Sequence, residues 1–352
     1  MNTLHGGDWA GYRERFGAEP LDFSASVSPL GLPEGVRRAV VAALSQSNRY
    51  PDPSCRTLRA LLAQQTGLDP AQILCGNGVS DLLYRLALAL QPESALLPAP
   101  SFSEYGAALS LTHCEIIYHP LLREEGFRLT EGILSAIHPG VSMVILCQPN
   151  NPTGLTVSPE LLIRILQRCR VCAALLVVDE SFLPFLECPG LFTLQEHLRD
   201  NKNLMLLRSF TKSHAMAGLR LGYALCSDTE LLHRMYLAGA PWSVSCVAQA
   251  AGEAALGEEA YLAELRSLIC RERPVLCSEL EGLGCSVLPG EANYLFFSSC
   301  VTNLSRLLAQ RGILIRDCSN FRGLSPGDYR IAVRTQEENR RLMSEMRSII
   351  YG

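Results

Sequence analysis

Lysine is nearly absent from this chain of 352 residues: 29 of its 31 basic residues are arginine, and only Lys202 and Lys212 are lysine. A coding preference for Arg accounts for the surface, but Arg neither loses its proton nor forms an imine, so each remaining lysine is a candidate for amine chemistry. A basic surplus is missing too. With 35 acidic residues the formal charge is −4, which gives no global field for nucleic acid or an anionic membrane. Long apolar runs are missing as well: the longest, residues 171–178, has eight residues, far short of a membrane span. Nor does the N-terminus read as a signal peptide, because Asp8, Arg13, Glu14 and Arg15 interrupt any apolar stretch.

What is present is the composition of a globular protein, 48% hydrophobic and 19% charged, long enough for one large domain or two ordinary ones. The 14 cysteines are too sparse for a disulfide scaffold. Cys75, Cys147 and Cys226 lie in apolar runs that read as buried strands, so reduced core thiols and a cytoplasmic location are expected. Cys169-Arg-Val-Cys172 has no second pair at zinc spacing, and no metal is expected.

Short apolar runs at 94–98, 143–147, 174–178 and 204–207 alternate with helical patterns such as 80–90 and 159–170. This alternation predicts an α/β fold with a mostly parallel sheet flanked by helices. Past Pro241 the pattern changes to a long helical stretch, 247–280, in which Gly257 is a place where the helix can be interrupted. Short strands near 286–288, 294–297, 313–316 and 329–333 follow, with helices at 302–311 and 336–349, which predicts a smaller α+β unit. The expected division is an N-terminal arm with part of the small domain at 1–30, a large domain at 31–240 and a small C-terminal domain at 241–352.

In an open parallel sheet, ligands sit beyond the carboxyl ends of the strands. Lys212, in Ser209-Phe-Thr-Lys212, stands just past one such end, where lost solvation would free its amine to attack a carbonyl. A solvated loop lysine is the alternative. Asp179 ends the most apolar run and needs a partner when buried; a cationic heterocycle nitrogen, a local Arg or backbone amides would serve. Gly76-Asn-Gly78 before Val79 and Ser80 opens a helix whose amides and dipole suit a phosphate, although such turns also merely close tight connections. Tyr105 reads as a stacking ring or as core, and Asn151 as a ligand or a turn former.

Together, Gly76-Asn-Gly78, Tyr105, Pro149-Asn-Asn-Pro-Thr-Gly154, Asp179-Glu180, Ser209-x-Thr-Lys212 and Gly218-Leu-Arg220 resemble the fold-type I aminotransferase superfamily, which uses pyridoxal 5'-phosphate. The resemblance runs in order from about Phe23 to the C-terminus. It implies that Lys212 joins the cofactor as an imine and shuttles protons, and that Asp179 keeps the pyridine nitrogen protonated. It further implies that Asn151 bonds the phenolic oxygen, Tyr105 stacks on the ring, and Gly78, Val79, Ser80, Ser209 and Arg220 hold the phosphate. Tyr50 matches a tyrosine that reaches the phosphate of a neighbouring subunit, implying a homodimer.

Within the superfamily the chain resembles the threonine-phosphate decarboxylases, with histidinol-phosphate aminotransferases as near relatives. Arg330 matches a substrate-carboxylate arginine and Arg316 a substrate-phosphate arginine. His5-Gly-Gly7, Phe182 in place of Tyr, and Arg334 favour the decarboxylase branch, with His5, Arg316 and Arg334 gripping the substrate phosphate. Ser26, Ser28 and Ser245 depart from a usual Asn and Ser181 from a usual Ala. Ser26 lies in the segment expected to cover the substrate, where a shorter side chain would admit phosphoserine unless a water fills the gap. The other readings are an aminotransferase for histidinol phosphate and a cofactor-sensing regulatory domain. The latter calls for a basic DNA-binding segment upstream of Phe23, where there are only 22 residues.

Overall fold

The computed structural model describes residues 6–352. Its largest sheet has seven strands in the order Ile73–Gly76, Gly222–Cys226, Leu204–Ser209, Leu175–Asp179, Met143–Cys147, Ser94–Ala99 and Glu115–Pro120. All pairings are parallel except the two made by Gly222–Cys226, which is antiparallel to both neighbours. Two reversals cancel, so Gly76, Ser209, Asp179 and Cys147 all end at one edge.

The central strands are apolar on both faces because both faces are covered. Val144, Leu146, Leu176, Val178, Leu204 and Leu206 point to one core, shared with helices Arg56–Thr66, Pro159–Val171 and Cys246–Ala255. Alternate residues, among them Met143, Ile145, Val177, Met205 and Leu207, point to the other core with helices Gly78–Leu90, Ser103–Leu109 and Thr229–Leu237. This period of two is the pleat itself.

A second, antiparallel sheet runs Arg316–Asp317, Asp328–Ala332, Tyr294–Ser298, Ser286–Val287. Helices Glu259–Gly282 and Gln336–Tyr351 close a separate core over it. The helical stretch is interrupted at Gly257: one helix ends at Ala255 and the next begins at Glu259. Ser245 caps the first of these, accepting from Ala248 N at 3.1 Å, a task that Ser and Asn perform about equally well. Near the N-terminus Leu21–Asp22 pairs in parallel with Ile313–Leu314 and carries the following segment toward the large sheet. Among the described residues no helix is long and apolar enough to cross a membrane.

Candidate active site

A cleft of about 310 Å³ opens where the strands of the large sheet end. Ten of the expected residues line it: Ser26, Val79, Ser80, Asn151, Asp179, Ser209, Lys212, Arg220, Arg316 and Arg330.

At one end lies an anion cradle. Helix Gly78–Leu90 begins here, and its N-cap residue Asn77 makes no side-chain capping bond, so the first amides remain free to meet an anion. Gly78 has φ +78°, and a Cβ there would lie 2.6 Å from Arg220 Nη2. Only glycine lets the turn form with the guanidinium this close. Ser209 and Thr211 share a hydroxyl contact of 2.6 Å beside them. Thr211, which also lines the cleft, was not expected as a site residue, although its place in Ser209-x-Thr-Lys212 was a signal.

Lys212 stands next along the wall. Burial, then the positive charges of Arg330 and Arg220, lower its pKa to about 8, while Asp179 and Asp22 pull the other way. A substantial neutral fraction therefore exists near physiological pH, which an imine-forming amine needs. Lys202, by contrast, lies exposed in a turn.

Asp179 is 4% exposed and meets hydrogen-bond donors instead of a cation. Its Oδ2 accepts from Tyr105 OH at 2.8 Å, and its Oδ1 accepts from Ser181 N at 3.0 Å and Ser181 Oγ at 2.5 Å. Burial raises its pKa, against the opposing effect of those hydrogen bonds, and Glu180 adds to the rise. Neighbouring Glu180 is paired with Arg208 at 2.8 Å, so Asp179 is the carboxylate left to take a cationic ligand atom. Cys147 also faces the cleft, but burial and then Asp179 push its thiol up to about 12, which removes it as a nucleophile.

Two arginines close the far side. Arg330 Nη1 donates to Asn151 Oδ1 and Nη2 donates to the Ser24 carbonyl at 2.8 Å; its buried Nε has no partner among the described residues. Arg316 Nη2 donates to Asn320 Oδ1 at 2.8 Å, with the guanidinium 5.2 Å above the Phe321 ring. The Cα atoms of Arg316 and Arg330 are direct partners across adjacent strands. The N-terminal arm lies over Ser24: Gly7 N donates to Ser24 Oγ at 2.8 Å, and a Cβ on Gly6 would sit 2.3 Å from the Ser24 carbonyl oxygen. Gly6 lines the cleft, whereas its neighbour His5 lies outside the described residues.

Two expectations need correction. Tyr105 does not reach the cleft surface: it is 1% exposed, packed in the core with its hydroxyl on Asp179. The aromatic lining the cleft is Phe102, whose ring meets that of Tyr105 edge-on at 5.5 Å. Arg334 is not among the residues lining the cleft; it donates to Glu338 Oε1 at 2.7 Å and to the Asp22 carbonyl at 3.0 Å. Tyr50, expected to act at a neighbouring subunit's site, is 80% exposed, stacked on Trp242 at 4.5 Å, and does not line the cleft of its own chain. Ser26 lines the cleft with its Oγ buried and unpartnered among the described residues, whereas Ser28 is engaged with Tyr261 OH at 2.6 Å.

An amine of lowered pKa, a buried carboxylate lacking a cation and an anion cradle fit pyridoxal 5'-phosphate through its aldehyde, ring nitrogen and phosphate. The fold and this site define an enzyme of the pyridoxal-phosphate class. The chain belongs to the aminotransferase class I and II family, whose model matches residues 18–346. It is 38% identical to the threonine-phosphate decarboxylase of Salmonella typhimurium over 100% of this chain and 98% of that protein. It is also 34% identical to a histidinol-phosphate aminotransferase of Symbiobacterium thermophilum, covering 92% of this chain and 88% of the relative. Among solved structures it resembles the L-threonine-O-3-phosphate decarboxylase of Porphyromonas gingivalis, with a TM-score of 0.83, 25% identity, and coverage of 94% and 99% of the two chains.

Proposed function

We propose that the chain decarboxylates a phosphorylated α-amino acid, first among them L-threonine O-3-phosphate, giving (R)-1-amino-2-propanol O-2-phosphate for the nucleotide loop of cobalamin. The observation that carries this reading is the pair Arg316 and Arg330, both buried, side by side on adjacent strands and both lining the cleft that holds Lys212. Two buried cations in one pocket repel each other, and a substrate with both a carboxylate and a phosphate relieves that repulsion. The relatives bearing threonine-phosphate decarboxylase names support the choice.

Bound at Lys212, pyridoxal phosphate supplies a ring that accepts the electrons of whichever Cα bond stands perpendicular to it. The chain's own groups choose the bond. Arg316 holds the substrate phosphate at the far wall, which rotates the substrate about its Cα. Arg330, tied down by Asn151 and the Ser24 carbonyl, orients the carboxylate that is to leave. Asp179 keeps the ring nitrogen protonated, and Ser80, Ser209, Thr211 and Arg220 hold the cofactor phosphate in the cradle. After carbon dioxide departs, Lys212 delivers a proton to Cα, so the product retains its amine and phosphate. Phe182 lines the cleft without a hydroxyl, which leaves Asn151 to serve the phenolic oxygen. We place the reaction in the cytoplasm, consistent with 14 cysteines that form no disulfide. We assign it to a homodimer in which Tyr50 serves the neighbouring site.

The test is a product assay of the loaded enzyme with phosphothreonine, phosphoserine and histidinol phosphate side by side. Carbon dioxide release from phosphothreonine, with the cofactor returned unchanged, is expected. Pyridoxamine phosphate accumulating without gas would sink the decarboxylase reading in favour of the aminotransferase. Faster gas release from phosphoserine would transfer the assignment to that substrate.

A further inference from the structure

The carboxylate that ends strand Leu175–Asp179 is held by three donors, and two belong to Ser181. Its backbone N–H lies 3.0 Å from Asp179 Oδ1 and its hydroxyl 2.5 Å from the same oxygen, while Tyr105 OH lies 2.8 Å from Oδ2. Although Ser181 stands on the cleft wall, its hydroxyl is turned back onto the carboxylate. Alanine at this position would supply the N–H and lose the hydroxyl. An O–H donor to an ionised oxygen at this length is among the strong hydrogen bonds, and burial makes its loss felt in full. A carboxylate facing a ring nitrogen shares one proton with it, and the proton rests on the nitrogen only while the carboxylate is the weaker base. Every donor to Asp179 pushes that balance toward the nitrogen.

We propose that Ser181 is a positioning residue which, together with Tyr105, keeps Asp179 ionised and directed at the cofactor's ring nitrogen; this rests on the placement of pyridoxal phosphate argued above. The titratable groups around Asp179 come from several elements. Tyr105 belongs to helix Ser103–Leu109, Cys147 to the adjacent strand, Tyr294 to the second sheet, Glu180 follows in the chain, and Lys212 stands along the cleft wall. Burial keeps the two phenols and the thiol neutral at physiological pH, and Glu180 is bound to Arg208. Lys212 is taken up by the cofactor once the enzyme is loaded.

The full chain, loaded with pyridoxal phosphate carrying 15N in the ring, is titrated while the ring-nitrogen resonance is followed. In the wild type the nitrogen keeps its proton well above neutral pH. In Ser181→Ala it loses that proton at a pH lower by about one unit or more, and Tyr105→Phe, which strips the opposite oxygen, moves it in the same direction. Superimposable titrations of wild type and Ser181→Ala would overturn the assignment. So would a lowered melting temperature with an unchanged titration, the mark of a purely structural serine. A wild-type nitrogen unprotonated at every pH would instead remove Asp179 from the ring and overturn the reading beneath the proposal.

Discussion

At the scale of single residues, the scarcity of lysine acquires a reason at Lys212. Burial and two arginines hold its amine at about 8, against 10.5 in an unfolded chain. Between those values the unfolded chain binds more protons than the fold, so the stability of the cofactor-free protein rises with pH across that window. The neutral amine is also the form that captures an aldehyde. Uptake of pyridoxal phosphate by the cofactor-free protein, followed by visible absorbance, is therefore expected to accelerate about tenfold per pH unit below 8 and to level off above it. In Lys212→Ala both the visible band and the extra pH dependence of unfolding are expected to vanish. A band that survives the substitution would mean that another amine holds the cofactor.

At the scale of elements, chemistry gathers where apolar strands stop, and this much was legible in the sequence. The apolar runs that stop at or just before Cys147, Asp179 and Ser209 were expected to end at the ligand's edge of the sheet, and they do. Gly78 shows how tightly that edge is built. Ala at φ +78° costs about 1–2 kcal/mol, and its Cβ would displace the Arg220 guanidinium from the cradle. Gly78→Ala is expected to weaken pyridoxal phosphate binding at least about tenfold by fluorescence titration with the far-UV spectrum unchanged. Unaltered affinity would show that the cradle does not hold the phosphate. Less legible were matters of side-chain direction. Tyr105 and Phe102 sit three residues apart at the start of one short helix, and the spacing does not say which ring turns to the core. Arg334 follows the strand that carries Arg330, but Glu338, one helical turn on, claims it. Strand Glu115–Pro120 went unread because it is the sheet's exposed edge and lacks a buried strand's unbroken apolar run.

At the scale of the whole molecule, an exposed aromatic pair stands on the surface away from the cleft. Tyr50 at 80% exposure and Trp242 at 44% stack on each other on the surface. Val41 and Leu44, also exposed, precede Tyr50 in the chain. Aromatic rings left in water at this density are the composition of an interface core. If a second copy covers them and Tyr50 completes its partner's cradle, the two defects Tyr50→Ala and Lys212→Ala must complement. In a mixed dimer, the chain carrying Tyr50→Ala keeps its own Lys212 and receives an intact tyrosine from its partner, so one site is whole; the other bears both defects. Random mixing of the two variants is expected to restore about a quarter of the wild-type sites, since about half of the dimers are mixed and each has one good site. Decarboxylation no greater than the sum of the separate variants, in a preparation shown to contain mixed dimers, would confine Tyr50 to its own chain and dismiss the shared site.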